Sequence, residues 1–84
     1  MKLSVKGLAL ASAILWASAL FLTGVINLRW PGYGQAFLEA MSSIYPGYKV
    51  GSGISGVITG TLYALLDAGI GGALFAWLYN LFAE

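Results

Sequence analysis

The residues that do chemistry in proteins are scarce in this chain. It has no histidine and no cysteine. That removes thiol chemistry, disulfides, the common zinc sites and imidazole acid–base catalysis. The carboxylates are Glu39, Asp67 and Glu84, too scattered to suggest an acid–base pair. The serines have no neighbouring base to activate them. No phosphate loop and no metal-ligand cluster is present, so neither catalysis nor a cofactor is expected. Asp67 remains, because it alone interrupts the apolar run 53–82. At mid-membrane a carboxylate costs roughly 2.5–3.5 kcal/mol on insertion scales, so it needs a partner or a purpose. Three readings are open. It is hydrogen-bonded across a pair of helices, it lines a pore or water file, or it carries protons.

Helical angles place Gly56, Gly60, Tyr63, Gly71 and Leu74 on the face of Asp67. The carboxylate is therefore expected to look into packed protein. An antiparallel hairpin of two spans centred near residues 17.5 and 67.5 pairs positions summing to about 85. That register sets Ser18 level with Asp67, and Trp16 within half a turn. A hydroxyl and an indole N–H both donate to a carboxylate. The cluster Asp67-Ala68-Gly69-Ile70-Gly71-Gly72 offers a mid-depth break, but a continuous helix is the expectation.

The helix carrying Asp67 also holds Ser52, Gly56, Gly60, Ala64, Ala68, Gly72 and Ala76, a small residue at every fourth position. Small residues let helix backbones approach closely in lipid. Four residues advance about 400°, so the row drifts about 40° per step. One straight partner cannot cover it. Either a crossing partner wraps it or different neighbours meet it at different depths. The first helix alone, or contacts between subunits as well, would supply them.

The elements that position these residues follow from composition. The chain has 84 residues, 60% hydrophobic and 8% charged, with a mean hydropathy of +0.85. Soluble domains carry roughly 25% charged residues. Four Lys+Arg and three Asp+Glu cannot dress a water-soluble surface, so an integral membrane protein is expected. A net charge of +1 gives no basic stripe for nucleic acid. Residues 7–28 carry no formal charge, about the 20 that a spanning helix needs. The first span is read as 5–28. A secretory signal with cleavage near Ala17-Ser18-Ala19 is the competing reading, but the apolar run continues to Leu28.

Pro31-Gly32-Tyr33 and Pro46-Gly47-Tyr48 read as turns, with Pro at the second position and Gly supplying positive φ. They bracket an amphipathic helix over about 34–45, with Phe37, Ala40, Met41 and Ile44 on its apolar face. It is expected flat on the bilayer surface or packed over the ends of the spans. The second span is 53–82. At about 45 Å it exceeds the roughly 30 Å core, so it tilts, projects or breaks. Trp77 and Tyr79 are expected as interfacial anchors on one side, with Trp30, Tyr33, Tyr45 and Tyr48 on the other. Both termini then share a side. Lys2 and Lys6 flank that side and Arg29 and Lys49 the other. The first helix usually dominates the positive-inside rule, which favours cytoplasmic termini.

Three stretches carry a family likeness: Met1 to Ala11 with Ile14-Leu15-Trp16; Tyr45-Pro46-Gly47-Tyr48 before a Gly-rich start; and Asp67, Gly71-Gly72 and Phe75 to Asn80. Together they resemble a family of small bacterial two-helix membrane proteins labelled bacteriophage holins. The likeness covers most of the chain and matches at Trp16, Pro46, Gly47, Tyr48, Asp67, Gly71, Gly72 and Trp77-Leu78-Tyr79-Asn80. It implies a multi-pass protein of the bacterial inner membrane and brings no catalytic residue.

The expected fold is an all-α membrane protein: a two-helix transmembrane hairpin with a short interfacial helix in its loop, as one domain over 1–84. The expected function is self-assembly in the bilayer as a holin-like or channel-like protein. A small accessory subunit of a larger membrane complex is the alternative.

Overall fold

The computed structural model describes residues 2–83. Three helices are present among them and no strand: α1 (Val5–Arg29), α2 (Gln35–Ile44) and α3 (Gly53–Phe82). α1 and α3 are each long and apolar enough to cross a membrane. α1 starts at Ser4, whose hydroxyl accepts the Gly7 N–H at 2.9 Å, an N-cap that satisfies one orphan donor of the first turn. It ends at Arg29, with Trp30 as its C-cap before Pro31, which cannot continue a helix. α3 is unbroken through Gly69, Gly71 and Gly72. Its hydroxyls turn inward: Thr59 donates to the Ser55 carbonyl and Thr61 to the Val57 carbonyl.

α1 and α3 pack antiparallel along their length. Asn80 clamps the start of the chain, accepting the Leu3 N–H at 2.8 Å and donating to the Leu3 carbonyl at 2.9 Å. The register is read from close pairs. Gly24 faces Val57, Gly60 faces Leu20, Gly69 faces Ala13 and Gly72 faces Ser12. These pairs sum to 80–84 rather than 85, which brings Asp67 closer to the level of Trp16 than of Ser18.

Both Pro-Gly-Tyr tripeptides close turns. The Tyr33 N–H bonds the Trp30 carbonyl at 2.8 Å, and the Tyr48 N–H bonds the Tyr45 carbonyl at 3.1 Å. Gly47 has φ +82°, the positive φ that a type II turn requires at its third position. In the first turn the left-handed residue is Gly34 (φ +60°) rather than Gly32. Asn27, buried in α1, holds that turn: its Nδ2 lies 2.8–3.0 Å from the Pro31 and Tyr33 carbonyls and from Gln35 Oε1.

α2 does not lie over the hairpin ends. Gly34 abuts Thr23, and Leu38 packs with Ala17, Leu20 and Ala64. The phenol of Tyr45 reaches the level of Trp16 and Asp67. The segment thus runs back along one flank of the hairpin, and residues 46–52 return to the start of α3. Its inward face is Phe37, Leu38, Met41 and Tyr45, while Ala40 and Ile44 are exposed. The apolar stripe is therefore turned by about one position from the expected one, because the tyrosine and Leu38 fill the groove between the spans.

Candidate functional site

The site grows from Trp16, Tyr45 and Asp67, which three different segments bring together. The Trp16 indole N–H donates to Tyr45 Oη at 3.1 Å, and the Tyr45 hydroxyl donates to Asp67 Oδ2 at 2.8 Å. The direction of this relay is fixed by chemistry. An indole can only donate, so the phenol accepts from it and donates its own O–H to the carboxylate. Aromatic packing holds the relay in place. Trp16 meets Phe37 edge-on, with centroids 5.6 Å apart, and Tyr45 stacks on Tyr63 at 5.5 Å.

Tyr45 and Tyr48 are corrected from interfacial anchors to core residues. Only 3% and 4% of their surfaces are exposed. Tyr45 is held by Trp16, Asp67 and Tyr63, and Tyr48 fills the hollow left by glycine. A Cβ on Gly60 would lie 2.8 Å from the Tyr48 ring and 3.0 Å from Leu20. Trp30 and Tyr33 at one end, and Trp77 and Tyr79 at the other, are exposed.

Ser18 is exposed and does not bond Asp67. The partner is Tyr45, with Trp16 behind it. Asp67 itself is exposed rather than turned into packed protein. Nothing in the pairing of the two spans pointed to Tyr45, which lies 22 residues before Asp67 in the sequence. One signal was legible in retrospect: Tyr45 continues the α2 stripe of Phe37, Leu38 and Met41.

The small-residue row of α3 is used within the chain. Gly56, Gly60, Ala64, Gly72 and Ala76 are buried, Ala68 is half-buried, and Ser52 lies exposed just before the helix. Its rotation is met by different neighbours at different depths. Gly56 lies against Ser52 and the Lys49 carbonyl, Gly60 against Tyr48 and Leu20, and Gly72 against Ser12 and the Leu8 carbonyl.

One flank of the hairpin therefore has two halves. The upper half of its groove is filled by 35–52. The lower half is open, a hollow of about 490 Å³ walled by Leu8, Ser12, Trp16, Gly71, Gly72 and Phe75, with Asp67 at its edge. The exposed face of α2 adds Glu39 and Ser43 to this flank. Elsewhere the outer surface is mainly apolar, Ser18 and Ser55 apart, with Leu10, Ile14, Leu15, Leu22, Leu62, Leu66, Ile70 and Leu74 exposed. Comparison with protein-family models, curated proteins and solved structures returned no match.

Proposed function

We propose that this chain is a small integral membrane protein whose α1–α3 hairpin spans the bilayer and self-assembles, holin-like or channel-like, without catalysis. One observation carries this reading. The hairpin is apolar over most of its surface, yet one flank presents Asp67, Glu39 and Ser43 to the outside. Hydrocarbon does not tolerate a row of exposed polar groups, whereas a water-lined interface between copies does. Folding 46–52 back beside the spans supports the same conclusion, since non-helical backbone at membrane depth must be covered by protein or line a cavity. The membrane is the bacterial inner membrane, with both termini cytoplasmic, following Lys2 and Lys6.

A second reading is favoured by one fact: no Lys or Arg lies between Lys6 and Arg29 or after Lys49. Copies of this chain bring no cation to Asp67, so an accessory subunit whose larger partner supplies one is the alternative. Native mass measurement in mild detergent separates the two. Self-assembly predicts a homo-oligomer of fixed size and cation flux in liposomes that Asp67→Asn abolishes with the oligomer intact. A monomer without flux, recovered as a complex only with a larger protein, supports the accessory reading.

A further inference from the structure

We propose that the open lower half of the flank groove, headed by Asp67 and walled by Trp16 and Phe75, binds a lipophilic organic cation: an amine, quaternary ammonium or phosphonium on an apolar body. The inference rests on the membrane reading but not on self-assembly, because one chain supplies every wall.

The carboxylate sets the charge of the ligand. Among the described residues Asp67 receives one hydrogen bond, from Tyr45 to Oδ2, and no basic side chain of either span can reach it. An anion would be repelled, and a neutral apolar molecule would leave the carboxylate without a counter-charge. The walls set the rest. The Trp16 N–H is committed to Tyr45, so what the indole offers the groove is its ring, and Phe75 lines the same hollow about two turns farther along α3 from Asp67. An aromatic ring near a carboxylate is a surrounding that organic cations find favourable. The floor is made of Ser12, Ala68, Gly71 and Gly72, and a Cβ on Gly71 would meet nothing within 4 Å. That absence of side chains leaves an open depression of about 490 Å³ on the surface. The mouth opens sideways from the hairpin. It lies on the flank that also presents Glu39 and Ser43, and its apolar walls admit a lipophilic cation where a strongly hydrated ion would have to give up its water.

The test is calorimetric titration of tetraphenylphosphonium into the purified full chain in mild detergent. Triphenylphosphine oxide serves as the neutral counterpart. Saturable binding of the cation, with none of the neutral compound, is expected. Asp67→Asn should weaken it by at least about tenfold, the loss of a desolvated charge contact. Gly71→Leu should abolish it by filling the hollow. Circular dichroism checks each variant, and because Gly71 faces open space its leucine variant keeps the helices even if Asp67→Asn does not. Equal binding of the neutral compound, binding unchanged in Gly71→Leu, or no binding by the folded wild-type chain would overturn the proposal. So would spontaneous disulfide linkage of Gly71→Cys between copies, which would make a second copy the occupant. Oligomeric mass, measured on the same samples, reports on self-assembly separately: a monomer that binds leaves this site standing and removes the assembly reading.

Discussion

At the scale of residues, the relay from Trp16 through Tyr45 to Asp67 ties the returning segment to both spans. Tyr45→Phe removes the acceptor for Trp16 and the donor to Asp67 together. Each interhelical hydrogen bond in a membrane protein contributes about 0.6–1.7 kcal/mol, so Tyr45→Phe should lower stability by the sum of two such terms. Denaturant unfolding in detergent, followed by circular dichroism, measures it. Tyr48 is equally buried, but its burial rests on ring packing against Gly60 and Leu20. Its hydroxyl makes no bond within the described residues, so Tyr48→Phe should stay within about 0.5 kcal/mol of the parent. A larger loss for Tyr48→Phe than for Tyr45→Phe would show that the relay is not what holds the segment.

At the scale of elements, the glycines of α3 divide into those that touch and those that do not. On Gly72 a Cβ would lie 2.8 Å from the backbone carbonyl of Leu8, which cannot step aside, whereas on Gly71 it meets open space. Gly72→Ala should therefore destabilise by about 1–3 kcal/mol through overpacking. Gly71→Ala should be neutral or slightly stabilising, since alanine is the better helix former. Thermal unfolding of the pair separates them, and equal melting would remove α1–α3 close packing from the account. Much of the element plan was legible in the sequence. Apolar runs marked the long helices, and the two Pro-Gly-Tyr turns bracketed α2, because proline fixes φ and glycine supplies the positive φ of a turn. What was not legible is where α2 goes. A tyrosine near a helix end reads as an interfacial anchor, and only partners far away in sequence turn these two inward: the hollow over Gly60 takes Tyr48, and Trp16, Tyr63 and Asp67 take Tyr45. Ser18 was misassigned for a related reason. A shift of a few residues in hairpin register, together with a third segment in the groove, gave Asp67 a different partner.

At the scale of the whole molecule, the Asn80 clamp on Leu3 holds the two ends of the hairpin together, and the Pro31-Gly32 turn lies at the other end. Asn80→Leu loses both bonds to Leu3. It should fray the start of α1 without disturbing the relay, and hydrogen exchange would show faster exchange at residues 3–8 with residues 13–20 unchanged. The central claim is that the hairpin crosses a bilayer with its ends on one side and one polar flank built around Asp67. Impermeant maleimide labelling of single cysteines at Lys2, Gly32 and Ala83 in sealed vesicles tests the crossing most directly. Positions 2 and 83 should label from the same side and position 32 only from the opposite one. Labelling of 2 and 83 from opposite sides, or of all three from one side, would contradict it.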